Sequence, residues 1–100
     1  MQGTVSADWS FLTNHAQTLV CIAHDPTIRL REIGEPLGIT ERAAFRIVAQ
    51  LSAAGYQTRQ CTGRRNRYSI AVDLPLPDAV AREQSIGELL TILTGAVSGS

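Results

Sequence analysis

Residues 30–47, LREIGEPLGITERAAFRI, decide the fold of this chain. Ile33 and Leu37 stand four residues apart, which is the spacing of one face of a short helix, and Gly38 follows as a residue that ends helices. Thr40 then supplies a side-chain oxygen that can cap another helix. The stretch therefore predicts two helices joined by a tight turn.

The helix that begins after Thr40 has a regular apolar stripe, with spacings of three, one, three and three residues before Gly55 stops it. The stripe consists of Ala44, Ile47, Val48, Leu51 and Ala54. Because a helix turns opposite sides to the core and to solvent, the other face is predicted to point outward. That face carries Glu41, Arg42, Phe45, Arg46 and Ala49.

Three elements are predicted before that helix. Thr13 can cap a helix over residues 14–24, which an Asp-Pro pair closes. Residues 27–30 include β-branched side chains and are predicted to form a minimal strand. Residues 31–37 are predicted to form the short helix. Pro36 lies inside that helix, where we expect it to kink or shorten the element because proline has no backbone donor.

After residue 56, the spacing of the apolar residues changes from that of a helix to an alternation with a period of two residues. Tyr68, Ile70 and Val72 alternate with more polar neighbours, and residues 63–66, GRRN, separate this run from residues 57–62. The pattern predicts a β-hairpin with a basic tip.

The C-terminal part is predicted to be a helix used for dimerisation. A Leu-Pro-Leu-Pro connector precedes Asp78, which can cap a helix over residues 78–95. Its apolar stripe has no other predicted element to cover, so we expect it to pair with its twin in a homodimer. The stripe consists of Ile86, Leu89, Leu90 and Leu93. A chain of 100 residues is otherwise expected to be a single domain, 1–100.

Charge is segregated along a chain whose formal net charge is zero. Arg59, Arg64, Arg65 and Arg67 fall within nine residues that contain no acid, whereas acidic residues outnumber basic ones downstream. A local basic cluster of this kind favours an anionic partner even without a positive total.

Several classes of protein are not indicated. No apolar run approaches the roughly 20 residues that span a bilayer, and no signal peptide is apparent, so a cytoplasmic protein with no membrane contact is expected. The sequence lacks a glycine-rich phosphate loop, a nucleophile–base set and a close carboxylate pair. We therefore expect no enzymatic activity and no cofactor.

Metal and redox chemistry rest on few residues. His15 stands too far from Cys21 and His24 for a compact metal site, and those two supply only two ligands. Cys21 and Cys61 are too few for a disulfide framework and are expected to be reduced, with a redox pairing of the two as the alternative.

The predicted order of elements is that of a winged helix, and parts of the sequence resemble proteins with that fold. Residues 30–47 resemble a helix-turn-helix, with small Gly34 where its helices touch. Followed by RIVAQL at 46–51, AGY at 54–56 and GRRNRY at 63–68, the chain is similar to bacterial winged helix-turn-helix regulators related to the MarR and ArsR types. The resemblance spans residues 11 to about 72.

The residue pattern and the resemblance together predict an α+β fold with the order helix, strand, helix, helix, strand, strand. The winged helix-turn-helix is expected over residues 11–73, and the residue pattern adds a C-terminal helix beyond it. The resemblance also implies a homodimeric transcription regulator that binds double-stranded DNA, and the length leaves little room for a separate effector domain.

Helix chemistry independently suits the DNA major groove. Arg42 and Arg46 can each pair with guanine, Phe45 can touch a thymine methyl, and Glu41 can accept from cytosine or serve the helix N-terminus. The same arginines also suit a solvated helix face. Phe45 is unexpected on a DNA-facing surface, so a module that binds protein through this face is the alternative.

Basic residues elsewhere are expected on the DNA backbone. Arg64, Arg65 and Arg67 in the hairpin can straddle phosphates or enter the minor groove. Arg29 and Arg31 precede the turn, although Arg31 is also placed to pair with Glu35. The predicted DNA-binding set is Arg29, Arg31, Thr40, Glu41, Arg42, Phe45, Arg46, Arg64, Arg65, Asn66 and Arg67, with Asn66 favoured for a positive-φ turn position over a base contact.

Overall fold

Three helices, a hairpin and a fourth helix follow one another along residues 9–95, the part of the chain that the computed structural model describes. The elements are α1 (Asn14–His24), α2 (Leu30–Leu37), α3 (Glu41–Ala53), β1 (Gln57–Thr62), β2 (Arg65–Ile70) and α4 (Ile86–Thr94), with a 3₁₀ turn at Ala79–Ala81. The chain is thus α+β, with the two strands forming one antiparallel hairpin. Residues 1–8 and 96–100 of the expected single domain lie outside the described part.

Local capping confirms where α1 and α3 begin. The Thr13 hydroxyl accepts a hydrogen bond from the Ala16 N–H at 3.1 Å, and the Thr40 hydroxyl accepts one from the Ala43 N–H at 3.0 Å. Each cap satisfies a backbone donor that the helix itself leaves free. Gly55, at φ 86°, follows α3 in the left-handed region.

The junction between α2 and α3 depends on two glycines. Gly38 has φ 70°, which lets the chain leave α2 sharply. A Cβ on Gly34 would lie 2.6 Å from the Ile39 carbonyl oxygen, so only glycine permits this close approach. Pro36 lies in the last turn of α2, which ends one residue later, at Leu37.

The core lies between the helices and the inner face of the hairpin. Two buried clusters fill it. One consists of Leu19, Ile47, Leu51, Ile86 and Leu90. The other consists of Ile22, Ile33, Ala44, Val48 and Tyr68. The predicted α3 stripe is confirmed at Ala44, Ile47, Val48 and Leu51, while Ala54 lies outside the helix and is exposed.

The hairpin turn is tighter than expected. Thr62 pairs with Arg65, so Gly63 and Arg64 alone form the turn, and Gly63 adopts φ 65°. Glycine at the first position is what a two-residue turn of type II′ requires. Asn66 lies within β2 opposite Cys61, and no non-glycine residue from 9 to 95 has positive φ. The expectation that Asn66 serves as a positive-φ turn residue is therefore wrong.

The strand expected at residues 27–30 is also absent. Asp25 instead organises a turn, because its carboxylate accepts hydrogen bonds from the Thr27 N–H at 3.1 Å and the Thr27 hydroxyl at 2.9 Å. The hairpin touches this loop through one backbone bond, from the Tyr68 N–H to the Pro26 carbonyl. A single bond of this kind does not make a third strand.

The C-terminal helix begins later than predicted, and its stripe is partly covered. Asp78 precedes only the 3₁₀ turn and makes no side-chain cap, whereas the Ser85 hydroxyl and the Glu88 carboxylate cap α4 reciprocally. Ile86 and Leu90 are buried inside the chain, at 4% and 6% exposure. The expectation that this stripe has no element of its own chain to pack against is wrong for these two residues, because α4 packs on α1. Leu89 and Leu93 are half-buried.

No helix within the described range is both long and apolar enough to cross a membrane.

Candidate nucleic-acid interface

The outward face of α3 is confirmed as the exposed one. Glu41, Arg42, Phe45, Arg46 and Ala49 are all exposed, and Phe45 retains 52% of its accessible surface. Arg42 and Arg46 lie one turn apart on this face. A pair of arginines flanking an aromatic ring thus faces solvent along the first half of the helix.

A groove of ≈ 500 Å³ lies between the start of α2, the start of α3 and the hairpin. It brings Arg29 and Arg31 together with Arg64 and Arg65, although more than thirty residues separate the two pairs in sequence. Glu41 at the first position of α3 contributes the acidic side chain of the lining. The remaining lining residues are Thr27, Ile28, Leu30, Asn66 and Tyr68.

The charges of these four arginines are not neutralised by ion pairs. Across residues 9–95, no ion pair joins any of them to an acidic side chain, and the alternative pairing of Arg31 with Glu35 is not formed. Arginine is weakly hydrated and carries five donors, so an unpaired cluster of this kind suits an anionic ligand.

The structure therefore assigns most of the predicted residues to two surfaces, the groove and the outward face of α3. Arg42, Phe45 and Arg46 belong to the α3 face and do not line the groove. Arg67 lies in β2 opposite Gln60 and is exposed outside the groove. Thr40 is exposed at the start of α3, and its hydroxyl oxygen caps that helix.

Tyr68 is a groove residue that the predicted DNA-binding set does not contain. Its exposure is 4%, and it packs beside Ile22 and Ile33 while also lining the groove. Burial raises the pKa of its hydroxyl above the ordinary value, and the Arg59 guanidinium opposes part of that rise. Alternation along the strand puts Tyr68 on the same face as Ile70 and Val72. It does not show which other elements the Tyr68 side chain meets, because that depends on their packing.

The two cysteines are both free thiols in different settings. Cys21 on α1 is half-buried, and burial raises the pKa of its thiol. Cys61 is exposed near the hairpin tip, where its thiol donates to the Gly63 carbonyl at 3.5 Å. The described chain brings no three His, Cys, Asp or Glu side chains together as metal ligands, and His15 instead hydrogen-bonds Gln50 across 2.6 Å.

No protein-family model matches this sequence, and no curated protein matches it at a significant level.

Proposed function

We propose that this chain is a sequence-specific regulator of transcription that binds duplex DNA through the α3 face, the groove and the hairpin. The observation that carries the proposal is the groove, where four arginines from two distant segments meet at the start of α3 without ion pairs. Unpaired arginines at one site favour a polyanion over a single small anion.

The dimensions and chemistry of α3 support a place in the major groove. A helix with its side chains is about 10–12 Å wide, and the major groove of B-DNA is about 12 Å wide. Arg42 and Arg46 would contact guanine edges, Phe45 a thymine methyl, and Glu41 a cytosine amino group. These contacts would determine sequence preference.

The groove and the hairpin suit the sugar–phosphate backbone. Arg29 and Arg31 would approach one strand from the start of α2, and Arg64 and Arg65 would approach from the hairpin tip. Arg67 would lie on the backbone or in the adjacent minor groove, whose potential attracts guanidinium groups. These contacts would supply affinity that falls with added salt.

We also propose that the regulator is a homodimer. Ile86 and Leu90 belong to the core, so the surface left for a second copy is smaller than the full apolar stripe of α4. It comprises Leu89 and Leu93, which are half-buried, and Ile92, which is 77% exposed on α4. A two-fold dimer would place two copies of α3 on two half-sites of one duplex.

A mobility-shift titration with a pool of random duplexes tests the function. Binding at about 50 mM salt that weakens by orders of magnitude at about 200 mM supports it, because several phosphate contacts per protomer give a steep salt dependence. The exposed Phe45 ring favours a second candidate, a module that binds another protein through α3. Absence of salt-sensitive duplex binding would favour that candidate.

A further inference from the structure

Tyr68 is one of the residues that line the arginine groove, and its hydroxyl is a donor without a partner among the described residues. Its side chain is more than nine-tenths buried, yet the oxygen is not among the polar atoms sealed from solvent. A buried phenol usually has a hydrogen-bond partner, and this hydroxyl, which is open to solvent and bonded to no residue, is available to a ligand in the groove.

We propose that the groove between α2 and the hairpin seats one backbone phosphate of the bound duplex, and that the Tyr68 hydroxyl donates a hydrogen bond to that phosphate. The inference rests on the proposed DNA binding and assigns to Tyr68 a positioning role within it. A hydrogen bond from a hydroxyl to a charged oxygen is stronger than one between neutral groups.

The charges around the groove fix where the phosphate sits. Arg29 and Arg31 lie on the α2 wall, and Arg64 and Arg65 lie on the hairpin wall. Glu41 stands at the start of α3 and repels an anion from that wall. The phosphate therefore sits between α2 and the hairpin, and Tyr68, which belongs to the hairpin strand β2, also lines the groove.

The state of the phenol and the rigidity of its ring fit this role. A tyrosine hydroxyl is protonated at neutral pH, and burial raises the pKa of Tyr68 further above its ordinary value, against an opposing effect of Arg59. The side chain belongs to the buried cluster that includes Ile22 and Ile33, and the N–H of the same residue donates to the Pro26 carbonyl at 2.8 Å. A fixed donor loses little conformational freedom when the phosphate arrives.

The test compares the wild-type chain with Tyr68→Phe, which deletes only the hydroxyl. We expect the affinity for every duplex to fall roughly tenfold, which is the change in affinity that the loss of one hydrogen bond to a charged group produces. The dependence of affinity on salt should keep its slope, because a neutral group releases no counterion. The urea midpoint should be unchanged, since the hydroxyl has no partner within the folded chain. A lowered midpoint would place the hydroxyl in an internal bond and overturn the proposal.

A scan of methylphosphonate substitutions, each of which removes the charge of one phosphate, identifies the partner. At one position per half-site, wild type and Tyr68→Phe should bind the modified duplex with equal affinity, because the methylphosphonate has already removed the charged acceptor. If the difference persists at every position, the hydroxyl does not act on a phosphate. Equal duplex binding by both proteins overturns this inference alone, whereas no duplex binding by the wild type overturns the proposed function.

Discussion

The backbone N–H of Tyr68 donates a 2.8 Å hydrogen bond to the carbonyl of Pro26 and so fastens the hairpin to the loop that leads into α2. Tyr68 pairs with Arg59 across the hairpin, but its N–H points away from β1. The bond therefore connects the two walls of the arginine groove, and the spacing of those walls depends on it.

Amide hydrogen exchange tests that connection. In an antiparallel ladder, bonded and non-bonded pairs alternate, so the N–H groups of Tyr68 and Asn66 both point away from β1. Only that of Tyr68 has a described partner in the loop. We expect the Tyr68 amide to exchange much more slowly than the Asn66 amide, with Asn66 as the control in the same strand. Equal rates would mean that the hairpin moves independently of the loop.

Gly34→Ala tests the close approach of α2 to α3. The new Cβ would meet the Ile39 carbonyl oxygen at 2.6 Å, and backbone must shift to relieve the clash. We expect a decrease of about 1–3 kcal/mol in the free energy of unfolding, measured by urea denaturation. Glu35→Ala, on the exposed neighbour, is the control and should change it by less than about 0.5 kcal/mol. A Gly34→Ala chain as stable as the wild type would contradict the observed packing.

The elements that are predicted correctly carry their signals within a few residues. Thr13 and Thr40 cap the helices that follow them, and Gly38 and Gly55 end α2 and α3, because capping depends on local backbone geometry. The regular stripe of α3 likewise determines which side is buried and which side faces solvent.

The errors lie where the outcome depends on distant contacts or on a competing local signal. The β-branched residues among 27–30 predicted a strand, but Asp25 forms a turn there instead. Only one backbone hydrogen bond then joins this loop to the hairpin. Ser85 and Glu88 form a capping box that is visible in the sequence and that sets the start of α4 in place of Asp78. The burial of Leu90 and the place of Tyr68 in the groove could not be predicted, because each depends on the packing of elements far apart in sequence.

Ile92→Asp tests the homodimer. Ile92 is 77% exposed on α4, so a charge there should leave the fold intact and disrupt an apolar interface. Sedimentation should show a dimer for the wild type and a monomer for the variant. Val80→Asp is the matched control, because Val80 is 98% exposed in the 3₁₀ turn. An Ile92→Asp chain that stays a dimer would exclude this face as the interface.

The double variant Arg64→Ala/Arg65→Ala tests the backbone contacts. Binding should weaken about equally on all sequences, and the slope of log K against log salt should become less steep by about 0.9 for each phosphate that the variant no longer neutralises. Arg82→Ala is the control, because Arg82 follows the 3₁₀ turn and does not line the groove. Weaker binding confined to one duplex sequence would mean instead that the hairpin reads bases or groove width.

Phe45→Ala separates the two candidate functions. If α3 enters DNA, the variant gives up at most a thymine-methyl contact, so duplex affinity should fall only slightly. If the face binds protein, the same change removes an apolar anchor of that interface. A large decrease in duplex affinity would assign Phe45 a larger role in DNA binding than one methyl contact.

Arg46→Ala tests most directly whether α3 reads sequence. The measurement is the affinity of the wild type and the variant for a duplex selected by the wild type from a random pool, and for the unselected pool. If Arg46 pairs with a guanine edge, the variant should lose about 1–3 kcal/mol on the selected duplex and much less on the pool. Unchanged affinity for both would contradict the assignment of α3 as the recognition helix.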